Sequence, residues 1–120
     1  MEVKKIFIAD DDEAIVDATS MMLEMAGYEV RYTLNGASVQ DDVLNKPDLV
    51  LLDIWMSGID GRDVCRRLKA DPATLDIPVL MISAGRDIMK SALESGADDF
   101  LAKPFDMDEL LAKIAKLIGN

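Results

Sequence analysis

Five short apolar runs punctuate the chain, at residues 3–9 (VKKIFIA), 28–33 (YEVRYT), 48–53 (DLVLLD), 77–83 (IPVLMIS) and 99–103 (DFLAK). Between them the apolar positions fall at helical spacing. Ile15, Ala18, Met22 and Met25 recur at i, i+3, i+7 and i+10 and predict the buried stripe of a first helix, which Gly27 ends as a C′ residue. Val64, Cys65 and Leu68 predict a shorter middle helix, and Met107, Leu110, Leu111, Ile114, Leu117 and Ile118 a last one. Residues 37–45 and 86–95 carry weaker helical patterns. The eight methionines fall mostly on these faces, where they are expected as core filler.

Strand and helix alternating five times predict an α/β domain with a parallel sheet covered on both faces, and LVLL and PVLMI are continuously apolar, as strands buried on two sides must be. The expected fold is a flavodoxin-like, doubly wound (βα)5 three-layer sandwich with strand order 2-1-3-4-5. Ligands bind such sheets beyond the carboxyl ends of the strands where the order reverses, between strands 1 and 3. At 120 residues, with no linker or repeat, the whole of 1–120 reads as one domain.

That topology gives the acidic residues their meaning. Asp10, Asp11 and Asp12 follow the first strand directly, and Asp53 ends the third inside an apolar run where an unpaired charge is costly. Asp12 is the expected cap of the first helix, with Glu13 in its first turn. The remaining three carboxylates converge at the switch point, and like charges so crowded need a cation to stay ionised. Oxygen-only ligands with room for water suit Mg²⁺ better than Ca²⁺. An ionised Asp53 beside that ion could receive a phosphoryl group. Ser83, closing the fourth strand with a hydroxyl, and Lys103, closing the fifth with a mobile charge, complete a set fitted to phosphoryl transfer.

Composition narrows the alternatives. The formal net charge of −10 repels nucleic acid and anionic membranes, and the densest basic run, CRRLK at 65–69, reads as the wet face of a helix. The lone Cys65 is expected as a buried thiol, which points to a reducing, cytoplasmic setting, and the apolar run that stops after Ala9 is too short for a membrane span. The chain has no histidine, so Ser-His-Asp and Cys-His catalysis and any internal phosphohistidine are excluded.

The stretches FIADDDEAI, PDLVLLDIWMSGIDG, PVLMISA and ADDFLAKPF resemble, in order and spacing over essentially the whole chain, the receiver domain of two-component response regulators. The resemblance implies a signalling domain, not an enzyme in its own right, with Asp53 as the phosphoacceptor and modified residue. It implies Mg²⁺ held by Asp10, Asp11, the Asp53 side chain and the backbone carbonyl of Trp55. Ser83 and Lys103 would contact the phosphoryl group, Ser83 and Phe100 would act as switch residues, and the Lys103–Pro104 bond would be cis. The implied partners are a sensor histidine kinase or histidine phosphotransfer protein and a downstream protein at the face formed by the fourth helix, fifth strand and fifth helix. The expected state is a monomer, with a dimer open on phosphorylation, either free-standing or excised from a longer protein.

Two departures stand out: Ser57 replaces a common Pro four residues after the acceptor and is expected to touch no chemistry, and Phe100 replaces the commoner Tyr. The resemblance also implies that a hydrolytic water is best held by the side chains two residues after the acceptor and two after the strand-four hydroxyl; here these are Trp55 and Gly85, and neither can orient a water well. Two rival readings remain, a haloacid-dehalogenase-type phosphatase and a binding module of the same fold that is never phosphorylated. The first wants Asp-x-Asp followed by Thr or Val, whereas Asp12 is followed by Glu13 and Ala14. The second is at odds with the intact set of Asp10, Asp11, Asp53, Ser83 and Lys103. No glycine-rich nucleotide loop of either common pattern occurs.

Overall fold

The structure, a computed structural model, describes residues 3–85 and 89–119. The main sheet contains β1 (Lys5–Ala9), β2 (Glu29–Thr33), β3 (Leu49–Asp53), β4 (Val79–Ser83) and β5 (Asp99–Ala102). All four pairings are parallel and the order is 2-1-3-4-5, as the apolar runs predict. The helices are α1 (Glu13–Met25), α2 (Val39–Asp42), α3 (Gly61–Ala70), α4 (Met89–Glu94) and α5 (Met107–Ile118). Side chains of a strand alternate between faces. Leu49 and Leu51 therefore join Val16, Leu23, Leu110 and Ile114 of α1 and α5, while Val50 and Leu52 join Val39, Val64, Leu68 and Ala92 of α2, α3 and α4. Every residue of β3 and β4 is buried, which is the demand their unbroken apolar sequences answer.

α1 corrects one expectation. Its buried residues are Val16, Thr19 and Leu23, not the stripe of Ile15, Ala18, Met22 and Met25. The two stripes have the same spacing and differ by one residue, a rotation of about 100° on a helix. Thr19 is the reason: a hydroxyl in the middle of the true core face breaks its apolar signature, while the neighbouring stripe is apolar throughout. Met21, Met22 and Met25 consequently stand in solvent, as does Met89, so the methionines are not chiefly core filler; Met56 and Met81 are. Asp12 caps α1 through its carboxylate, and Gly27, at φ 100°, follows the helix as expected.

The segment 37–45 forms only one turn of α-helix between 3₁₀ turns at Gly36–Ser38 and Val43–Asn45. Lys46 in the left-handed region and Pro47 behind it stop it from growing, and Val39 and Val43 still reach the core. The helix expected over 86–95 is described from Met89; its beginning lies outside the described residues. Cys65 is fully buried on α3. Arg66 and Arg67 of the basic run are exposed, but Lys69 is not simply wet: its Nζ donates to Ile77 O (2.8 Å) and Asp98 Oδ2 (2.9 Å), tying α3 to the strand ends.

The two stripes of α1 are separable in solution. Leu23→Ala should lower unfolding stability by about 2–5 kcal/mol, whereas Met22→Ala should stay within about 0.5 kcal/mol of the parent, measured by urea denaturation.

Candidate functional site

Strand register assembles the site. Ala9 lies opposite Leu52, so the residues that follow them, Asp10 and Asp53, emerge side by side. Asp53 is opposite Ile82 and Ser83 is opposite Ala102, so Ser83 and Lys103 follow around the same carboxyl edge. The backbone N–H of Lys103 donates to Ser83 O at 2.7 Å, carrying the ladder one step past β5. The Lys103–Pro104 peptide is cis, as the resemblance implies.

The three candidate metal ligands each accept a different backbone N–H, and two of them share Lys103. Asp10, 4% exposed, accepts the Asp12 N–H on Oδ1 (3.0 Å) and the Lys103 ammonium on Oδ2 (3.2 Å). Asp53, 9% exposed, accepts its neighbour Ile54 N–H on Oδ1 (3.0 Å), with Lys103 Nζ at 3.5 Å from that oxygen. Asp11 is exposed, and its Oδ2 accepts both the backbone N–H (2.7 Å) and the hydroxyl (3.1 Å) of Ser57. Ser57 thus touches a candidate ligand directly, contrary to the expectation that it stands apart. The signal available for it was the Ser-Gly pair between WM and ID, a turn dipeptide between two short apolar segments. One carboxylate oxygen from each of Asp10, Asp11 and Asp53 lies within 4.8 Å of the others. An octahedron with Mg–O bonds of about 2.1 Å is about 4.2 Å across, so the set fits a small hard cation that also keeps water.

Electrostatics agree with the crowding. Burial, and after it the negative charge of Asp10, push the Asp53 carboxyl from 3.8 up to about 6, against the pull of Lys103 and the Ile54 N–H. Ser83 is buried, and its Oγ accepts the Gly85 N–H at 3.2 Å, leaving the hydroxyl proton to donate. Phe100 is 7% exposed and packs in the same cluster as Met81, Ala92 and Ala97. The Trp55 ring, by contrast, is 57% exposed.

Gly61 is a further residue that the sequence left unmarked. Its N–H donates to Ile54 O at 2.6 Å, and a Cβ there would collide with the backbone carbonyl of Asp53 and meet Ile54 Cα at 3.0 Å. The start of α3 is therefore pressed against the backbone of Asp53, a close approach that only glycine permits.

These features define a doubly wound α/β domain with an acidic pocket, a lysine and a hydroxyl at its topological switch point. The response regulator receiver domain family matches residues 6–115, and the chain belongs to that family. It is 45% identical over 117 residues to the DNA-binding dual master transcriptional regulator RpaA of Synechocystis, covering 95% of this chain and 48% of that protein. It is 41% identical to the phosphate regulon transcriptional regulatory protein PhoB of Pseudomonas aeruginosa, covering 96% and 52%. The chain thus spans about half the length of these curated relatives. Among solved structures, the receiver domain of NtrX from Brucella abortus superposes with a TM-score of 0.86 at 32% identity, covering 96% of this chain and 98% of that one. A CheY-like receiver domain protein from Methanospirillum hungatei gives 0.89 at 27%, covering 98% and 95%.

A raised carboxyl pKa has a definite sign in stability. The fold favours protonated Asp53, so without metal the protein loses stability as pH rises from the ordinary value of 3.8 through about 6. In chelator, Asp53→Asn should therefore melt several degrees above the parent at pH 7.5, and the gap should close as pH falls from 6 to 4.

Proposed function

We propose that this domain accepts a phosphoryl group from a partner's phosphohistidine onto Asp53 and thereby switches the surface it shows to a downstream protein. One observation carries the reading: a nearly buried carboxylate at the end of β3 lies within 3.5 Å of a lysine ammonium and beside a second buried carboxylate, Asp10. The histidine comes from outside, because the chain has none. An Asp53 oxygen attacks phosphorus in line, the P–O bond forms as the P–N bond breaks, and the imidazole of the donor keeps the electron pair. Lys103 moves its charge from the carboxylates to a phosphoryl oxygen, and the Ser83 hydroxyl donates to another. Asp10, Asp11, Asp53 and the Trp55 carbonyl would hold Mg²⁺, which would supply charge neutralisation at the phosphoryl oxygens. The donor is a sensor histidine kinase or a phosphotransfer protein. The setting is the cytoplasm, and no helix among the described residues is long and apolar enough to cross a membrane.

Recruiting Ser83 to the phosphoryl group removes its hydroxyl from the turn at Gly85 and opens room for the ring of Phe100. Phe100, buried in this structure, would be a two-state side chain whose inward position phosphorylation favours. The face of α4, β5 and α5 carries the result to the downstream protein, with a monomer that can pair on phosphorylation. The domain itself makes no nucleic-acid contact, consistent with its charge of −10. A binding module that is never phosphorylated has no use for the raised Asp53 carboxyl and its lysine.

Incubation with a small phosphodonor and Mg²⁺ should add one phosphoryl mass, abolished in Asp53→Ala and suppressed by chelator; modification that survives either change rejects the reading. The acyl phosphate should hydrolyse slowly, since Gly85 has no side chain and the exposed Trp55 indole offers a single donor and no acceptor to orient water. Gly85→Glu, alone and with Trp55→Asn, should speed its loss toward about 100-fold, the low end of what a positioned base supplies. Unchanged decay in both variants places the control of lifetime elsewhere.

A further inference from the structure

Directly after β3 the chain forms a small antiparallel hairpin, with Trp55 opposite Asp60 and Met56 opposite Ile59. Its two-residue turn is Ser57-Gly58, and both residues have positive φ, 47° and 83°. That is the signature of a type I′ turn, which suits the twist of paired strands but asks a residue with a side chain to sit in the left-handed region. Proline, common at this position in the family the sequence resembles, can neither adopt that φ nor offer an N–H. Serine does both, and the conformation aims its two donors at one oxygen, Asp11 Oδ2, 46 residues away in sequence.

The three acidic side chains need such help unequally. Asp10 and Asp53 are fixed by burial, by backbone N–H groups and by Lys103. Asp11 is exposed, so burial does not hold its carboxylate beside the other two. We infer that Ser57 is a positioning residue for the metal site, orienting Asp11 through Oδ2 so that its other oxygen is ready for the ion. The inference rests on the reading of Asp10, Asp11 and Asp53 as Mg²⁺ ligands. The left-handed strain at Ser57 is the cost of this arrangement, and the two hydrogen bonds offset it. Hydrogen-bond partners of metal ligands commonly contribute 10- to 100-fold in affinity.

The test is a Mg²⁺ titration of the whole chain, followed by emission of Trp55, the one tryptophan, and independently by calorimetry. Ser57→Ala keeps the N–H but loses the hydroxyl and should weaken Mg²⁺ binding by about 10-fold, the lower end of such effects. Ser57→Gly also loses the hydroxyl but accepts the positive φ freely, so it should fall between Ser57→Ala and the parent. Urea midpoints in chelator establish that each variant is folded. Unchanged or tighter Mg²⁺ binding in folded Ser57→Ala overturns the inference, the tighter case meaning that Ser57 competes with the ion for Asp11. Absence of saturable Mg²⁺ binding by the parent overturns both this inference and the metal reading beneath it.

Discussion

The repulsion between Asp10 and Asp53 is the constraint around which this molecule is organised. Parallel pairing of β1 with β3 leaves two carboxylates side by side in a nearly buried place, with Lys103 as the ammonium that bridges them. A single ammonium between two carboxylates leaves the local charge negative, and the raised pKa of Asp53 expresses its burial first and that imbalance second. The pocket is thus a strained feature of a well-packed sheet, and the strain is resolved by whatever positive charge or neutralising group arrives from outside. Functional sites often break the rules that the rest of a fold obeys, and here the broken rule is the pairing of buried charges.

The surroundings of the pocket are physically connected to a neighbouring helix. Gly61 seats the first residue of α3 against the Asp53 backbone, and the residue before it, Asp60, caps α3 and holds Arg62 in a two-oxygen contact at 2.7 and 2.9 Å. Arg62 also donates to Ser91 on α4 at 3.0 Å. The loop behind Asp53 therefore has a physical link to α4 that does not pass through Ser83 or Phe100. Whether both links move together is a question of coupling energy between two elements, not of distance.

The sheet was legible in the sequence because fully buried parallel strands leave unbroken apolar runs, and the candidate site because strand order alone sends Asp10, Asp53, Ser83 and Lys103 to one edge. The face of α1 was not, since Thr19 interrupts the true core stripe while Met22 and Met25 complete a false one. α2 was visibly weak, but its shrinkage to a single turn between 3₁₀ segments depends on a left-handed Lys46 that composition does not announce. The contact of Ser57 with Asp11 spans distant segments and arises from a backbone conformation. Gly61 matters for the side chain it lacks, against a carbonyl that only the fold brings near.

The Lys103–Asp10 contact joins residues 93 positions apart, with nearly the whole chain between them. During synthesis at about 5–20 residues per second, Asp10 and Asp53 are both made before their lysine, which follows Asp10 by roughly 5–20 s. A nascent chain that paired β1 with β3 in that interval would hold two buried carboxylates with no ammonium between them, so the last strand is what makes the first pairing comfortable. The carboxyl edge that carries Asp10, Asp53, Ser83 and Lys103 is consequently among the latest features to mature, and a chain interrupted before β5 would lack the lysine of that edge however much of its sheet had formed.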